Sequence, residues 1–313
     1  MKTFLQKKRK EIFWTEKRRN LVFYILLMAI PIAQFCYFYI GVNFNSILMS
    51  FQVYDPLTNA TEWTFQQYSK LFDDFINLPN LRYAAKNSLI LYGVKLGVCM
   101  PLALLFSYYI YKGMKCASFF RVVLFLPSMI SGIVIVTIFA SIADKVIPEL
   151  SRTIFHKDIW GLLVDPDTKF GTLIFFTIWI SFGTNVLMYV DAMKGISPDV
   201  VEAAYLEGVS GLKEFWYITL PLIYPTIVTF VTIGLVGIFT DQMSLFSFYG
   251  RSADESLVTF GYYMYRELQW ATEFSAFENY NYLSAMGIIM TLITVPATIF
   301  VRKMMKRFGP SAD

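Results

Sequence analysis

Few residues in this chain could carry chemistry. There is a single histidine, His156, and the three cysteines, Cys36, Cys99 and Cys116, are scattered along 313 residues. A His-Glu-x-x-His zinc site needs two histidines one helical turn apart, and a cysteine cluster needs closely spaced pairs, so the sequence predicts neither a metal site nor a disulfide framework. His156 reads as a surface residue. No Gly-x-x-x-x-Gly-Lys-[Ser/Thr] run occurs, so a phosphate-cradling loop for a nucleotide is missing too. What remains are polar side chains inside apolar runs, namely Lys95, Asn185, Asp241 and Gln242, and two glutamates, Glu202 and Glu207, in a segment rich in turn-forming residues.

The apolar runs supply the setting. Hydrophobic residues make up 56% of the chain, aromatics 18% and charged residues only 16%, a balance outside the range of ordinary soluble domains. A membrane-spanning helix needs about 20 consecutive mostly apolar residues. Six such runs occur, at about 21–42, 87–111, 121–143, 171–190, 221–247 and 283–301. Each predicts a helix, because the bilayer offers no water to satisfy an open backbone, and the runs are too long and too uniform for barrel strands. The expected fold class is all-α, a polytopic membrane protein with six transmembrane helices. It divides into a basic N-terminal segment over 1–20, a membrane domain over 21–303 and a tail over 304–313. The first run is longer than the apolar core of a signal peptide and lacks a small-residue cleavage site, so it reads as a retained span.

Lysine and arginine orient the bundle. Lys2, Lys7, Lys8, Arg9, Lys10, Lys17, Arg18 and Arg19 precede the first run, and Arg302, Lys303, Lys306 and Arg307 follow the last, so both termini are expected in the cytoplasm. The loops 112–121 and 191–220 then face inward, which places 17 of the 27 basic residues inside. The net charge of +4 follows from this topology and calls for no nucleic-acid partner. The third outer loop, 248–282, holds eleven aromatic residues, among them Tyr262, Tyr263, Trp270 and Phe274. Interfacial packing explains such a run, and so would a surface for a partner protein or a sugar.

Charges in spans are costly, about 3 kcal/mol or more at the bilayer centre unless paired or wetted. Lys95, Asn185, Asp241 and Gln242 are therefore candidates for a solute path. Alternatives stand beside each. Lys95 could snorkel or pair with a carboxylate, Asn185 could bridge two helices, and Asp241 and Gln242 fall late in their span, where solvent exposure suffices.

The inner loop 191–220 has readable local physics. Ser197-Pro198-Asp199 supplies an N-cap, a first-turn proline and a negative charge at a helix start, and Gly208 stands where a left-handed C-terminal turn requires glycine. Ser210 is placed to cap a second helix through Leu212, Phe215, Trp216 and Ile218, ending at Pro221. The loop therefore reads as helix, tight turn, helix. Ala203 and Ala204 leave its middle slim for another protein's backbone, and Glu202 and Glu207 offer ionic anchors.

The order Glu202-Ala203-Ala204, three residues, Gly208, nine residues, Ile218, one residue, Leu220, Pro221 resembles the EAA loop of permeases in binding-protein-dependent ABC importers. Glu207 replaces an aspartate frequent in that family and keeps its charge. Trp179, Gly183 and Asn185, the stretch Ile196–Pro198, and Tyr282–Gly287 are similar to the sugar-transporting, maltose-type branch, although Phe248-Tyr249-Gly250 stands where that branch often has Gly-Gly-Pro. The resemblance implies a type I ABC importer permease fold in a prokaryotic cell membrane, and a transport role rather than an enzymatic one. It also implies a second homologous permease, two ATPase subunits that bind ATP and Mg, and an extracellular solute-binding protein. The cargo it implies is a carbohydrate. A permease for another solute, a stand-alone carrier and a membrane-embedded enzyme are the alternatives.

Overall fold

The computed structural model describes residues 2–55, 60–209, 211–273 and 277–309. Among these, nearly all structure is helical, apart from one antiparallel hairpin that pairs Gln52–Asp55 with Ala60–Trp63. Val53, Tyr54, Thr61 and Trp63 are strand-favouring residues, so the hairpin is a local departure from the all-α expectation with a visible cause. Five described helices are long and apolar enough to cross a membrane: Glu16–Ser50, Pro79–Tyr111, Lys169–Lys194, Tyr224–Tyr249 and Asn279–Arg307. Ala117–Met129 and Gly132–Phe155 add a sixth if taken as the two arms of one span. The helices overrun the apolar runs, because hydropathy marks the hydrocarbon layer while the backbone keeps satisfying its own hydrogen bonds beyond it.

Two spans are not the unbroken helices expected from hydropathy. The 121–143 run bends by 102°. Pro127 lies inside the first arm, Ile130 and Ser131 are extended, and the second arm starts at Gly132. Proline withdraws a backbone donor and crowds the preceding turn, so a break here has a sequence cause. The 221–247 run is helical only to Thr240; Asp241 is extended, Met243 and Ser244 have φ of 51° and 53°, and helix resumes at Leu245–Tyr249.

By internal contacts the chain forms two units, Met1–Ser69 with Phe277–Ile288 and Lys70–Ala276 with Ile289–Asp313. In the first, the hydroxyl of Tyr68 donates to Ser50 Oγ at 2.8 Å, and Phe51 and Phe65 meet edge to face, tying the hairpin region to the end of the first long helix. The apolar side chains of that helix from Leu21 to Phe44 are exposed.

The second unit holds the main core. Ala103, Leu104 and Tyr108 from span two pack with Val186, Tyr189 and Met193 from span four and with Ile223, Ile227 and Val231 from span five. Ser107 donates to Val186 O at 2.9 Å across the first two of these helices. The aromatic outer loop folds onto the same unit. Tyr262 and Tyr263 are buried, Tyr262 Oη donates to Gly250 O, and Asn87 Nδ2 donates to Ser256 O and Val258 O at 2.8 and 2.9 Å. These tyrosines pack the loop, whereas Trp270 remains half exposed. Phe274 lies outside the described residues.

Candidate functional site

The inner loop contains the helix Pro198–Leu206, with Pro198 in its first turn and Asp199 beside it. Ser197 differs from the expectation. It is extended, but its side chain makes no capping hydrogen bond; its carbonyl accepts from Val200 N instead. The C-terminus closes as a Schellman turn: Gly208 N–H donates to Tyr205 O at 3.0 Å and Val209 N–H to Ala204 O at 2.9 Å. Gly208 has φ +77°, a conformation that costs other L-residues roughly 1–2 kcal/mol.

Ala203 and Ala204 do not share one slim face, as the sequence suggested. Consecutive helical residues are about 100° apart, so Ala204 is buried while Ala203 faces outward with Glu202, Tyr205, Leu206 and Glu207. Tyr205 and Leu206 are 75% and 86% exposed, and Leu212, Trp216 and Tyr217 of the following helix are exposed as well. The loop therefore presents a bulky apolar face edged with glutamates.

Its other side is firmly held. The second helix starts at Leu212 and continues through a π-helical turn, Phe215–Thr219, to Leu222, passing the expected stop at Pro221. Pro221 follows directly on the π-helical turn, where the regular i→i−4 ladder is already interrupted. Ser210, the expected cap, lies outside the described residues. Gly211, with φ +59° and ψ −127°, precedes the helix. Phe215 is buried with its ring 5.0 Å from that of Tyr108, and Tyr108 Oη donates to Gly211 O at 2.8 Å. Lys112 Nζ lies 2.5 Å from Glu214 Oε1. That oxygen has no partner of hydrogen-bond geometry among the described residues, so the contact is electrostatic. The ammonium also sits 5.8 and 5.6 Å from the Tyr108 and Tyr111 ring centres. A pocket of about 350 Å³ between Lys112, Glu202, Leu206 and Glu214 separates the two helices.

The second candidate region is a cavity of about 240 Å³ between spans two, four and five. Lys95 and Asn185 both line it, together with Tyr92, Ser181, Tyr189 and Phe230. Lys95 opens a π-helical turn, Lys95–Cys99, and is the middle residue of Pro79–Tyr111. Such turns often mark functional sites. Asn185 Nδ2 makes a weak contact to Cys99 Sγ at 3.9 Å.

Lys95 is paired, and its partner is Asp241. The sequence left Asp241 open to simple solvent exposure; instead it ties three segments together at the end of helix Tyr224–Thr240. Oδ2 meets Lys95, Oδ1 accepts Met243 N–H at 2.8 Å, and the backbone carbonyl accepts Thr259 Oγ–H at 2.8 Å. Gln242 is half-buried at the same break and does not line the cavity. His156 is exposed, with φ 53°, just past the helix Ile147–Phe155.

Sequence reasoning missed Tyr108, Lys112, Gly211 and Glu214 as anchors, and Tyr92, Ser181, Tyr189 and Phe230 as cavity walls. Gly211 alone had a local signal, a second glycine three residues after Gly208.

Comparison with known proteins gives this geometry a context. The chain is 23% identical over 95% of its length, and 94% of the relative's, to the polygalacturonan/rhamnogalacturonan transport system permease protein YteP of Bacillus subtilis. It is 23% identical to the arabinooligosaccharides transport system permease protein AraP of the same organism, over 96% of this chain and 92% of that one. Similarity to the multiple sugar-binding transport system permease protein MsmF of Streptococcus mutans is 22% over 79% and 86%. In fold it matches a chain in the crystal structure of a bacterial ABC transporter involved in import of the acidic polysaccharide alginate, with TM-score 0.75, 22% identity and coverage of 95% and 99%. The same transporter in complex with an alginate pentasaccharide-bound periplasmic protein gives TM-score 0.71 and 23% identity, over 94% and 97%. The model of the family described as binding-protein-dependent transport system inner membrane component matches residues 99–312, which include the whole loop 191–220 and the walls that spans four and five give the cavity. The chain belongs to that family, and is a multi-pass membrane transport component rather than an enzyme.

Proposed function

We propose that this chain is the permease through which a carbohydrate, an oligosaccharide, enters a prokaryotic cell by alternating access. Separate ATPase subunits drive it through the loop 191–220. Two of these bind ATP and Mg; a second homologous permease completes the pore, and an extracellular solute-binding protein delivers the cargo. The family and the fold support the mechanism, and the sugar-related names of the relatives support the cargo class. The excess of lysine and arginine at both ends supports cytoplasmic termini.

The observation that carries the reading is the two-sided build of Pro198–Leu206. Leu206 and Tyr205 face out while Ala204, and Phe215 of the following helix, are buried inward. An exposed apolar surface on a rigid mount suits a protein partner, and Glu202 and Glu207 on its edge supply charge for register. Movement of the partner would pass through Phe215 and Tyr108 to span two. In the membrane, Lys95 and Asn185 form part of the solute path, with Asp241 as counter-ion and Gln242 beside it.

The test is made on the purified assembly. Glu202→Lys and Gly208→Val should leave the four-subunit complex intact on size-exclusion chromatography and strongly reduce both uptake and solute-stimulated ATP hydrolysis. Normal coupling in both variants would remove the loop from the drive mechanism.

A further inference from the structure

We infer that the cavity between spans two, four and five receives the carboxylate of an acidic sugar residue, which takes the place of Asp241 on Lys95. This rests on the carbohydrate reading above and narrows it to uronate-bearing saccharides.

Lys95 is the only charged side chain among the described residues that line the cavity. Its counter-ion, Asp241, does not line the cavity and sits where span five loses its helix. The two ions are not equally committed to each other. Asp241 keeps the Met243 N–H on its other oxygen, so it stays hydrogen-bonded without the lysine. Lys95, whose side chain is about a third exposed, has no second carboxylate among the described residues, and a cation in a membrane span costs about 3 kcal/mol unless it is paired or wetted. Anything that draws Lys95 from Asp241 must therefore bring its own anion.

A neutral sugar would need only hydroxyl partners and an apolar face. Ser181, Asn185 and Phe230 already provide these, so it would give no reason to place a cation in the wall. An acidic sugar exchanges one ion pair for another. Such an exchange is nearly neutral in energy, and a permease site must bind weakly enough to let go. At about 240 Å³ the space is below the range of about 300–1,000 Å³ typical of drug-sized pockets, so it fits one residue of a chain at a time.

The experiment measures uptake by cells expressing the complete transporter, using radiolabelled tri-galacturonate and tri-mannuronate against neutral maltotriose and arabinotriose. Wild type should take up an acidic trisaccharide in preference to the neutral ones. Lys95→Gln should lower the acidic-to-neutral ratio by roughly tenfold or more, and Lys95→Arg should largely keep it. The exchange Lys95→Asp with Asp241→Lys restores a bridge but moves the cation out of the wall, and should leave acidic uptake low. Full acidic uptake by the exchanged pair, or by Lys95→Gln, would reduce Lys95–Asp241 to a helix latch and overturn the inference. Uptake of neutral trisaccharides alone by wild type would also overturn it while leaving the carbohydrate reading intact. Uptake of none of the four would count against the carbohydrate reading itself.

Discussion

Lys95 in helix Pro79–Tyr111 and Lys112 just beyond it each meet a carboxylate from a distant part of the chain. At the inner end Lys112 meets Glu214, whose side chain is 7% exposed and stands beside buried Phe215. At mid-helix Lys95 meets Asp241, 24% exposed and bonded to a second donor. The ion types are the same and the surroundings differ. Glu214 has been taken out of water and Lys112 is its ionic partner, so the pair behaves as a rivet between the loop and span two. Asp241 retains a backbone amide and Lys95 lines a cavity, so their pair can open. On the function proposed above, the first would be a fixed joint where force enters and the second a loose one where solute passes.

The largest expected effect tests that contrast directly. Lys112→Met leaves a buried carboxylate unpaired, a change that costs about 3–5 kcal/mol. Lys95→Met leaves Asp241, more exposed than Glu214, with its backbone amide, and should cost less. Thermal unfolding of the purified assembly in detergent reads the difference: Lys112→Met should lower Tm by many degrees and Lys95→Met by few. Equal losses would dissolve the distinction. Replacing both Lys112 and Glu214 with apolar residues should recover much of the loss, because a buried pair can be exchanged for packing.

Next in size is Gly183, on the helix that carries Asn185 into the cavity. A Cβ there would lie 1.9 Å from Leu124 O, so the arm Ala117–Met129 crosses against bare backbone. Gly183→Ala must push two helices apart, at about 1–3 kcal/mol. It should impair uptake while leaving the docking loop's affinity for the ATPase unchanged, measured by co-purification. Loss of ATPase association instead would mean that the two regions are not mechanically separate.

These pairs also mark what the sequence could disclose. The turn at Gly208 was legible because Pro198, Gly208 and their spacing act within one or two helical turns. The break after Pro127 had the same kind of local signal, but continuous hydropathy through 121–143 concealed it. Lys95 and Asp241 were each legible as costly residues in a membrane, yet their union was not, since 146 positions separate them and pattern carries no distance. Glu214 was less visible still. It looks like one more charge in a polar loop, and only the packing of Phe215 beside it takes it out of solvent. The inward side of Ala204 was lost for a related reason: composition marks a helix as slim but does not say which face meets the protein.

The smallest effect isolates the joint's hydrogen bond from its packing. Tyr108 meets Phe215 with tilted rings, and its hydroxyl donates to Gly211 O and lies near Glu214; Tyr108→Phe removes the hydroxyl and keeps the ring contact. The part-buried carbonyl then loses a donor, at about 0.5–1.5 kcal/mol. Thermal stability should fall by a few degrees at most, and assembly with the ATPase should persist. If the joint works as a rigid lever, the freed Gly211 carbonyl lets the loop rock against span two, and ATP hydrolysis should become less dependent on solute while total hydrolysis stays near normal. If burial of Phe215 alone holds the lever, the ratio of stimulated to basal hydrolysis will not change. The hydroxyl then adds stability without stiffness, and the rivet consists of the ring contact and the Lys112–Glu214 pair.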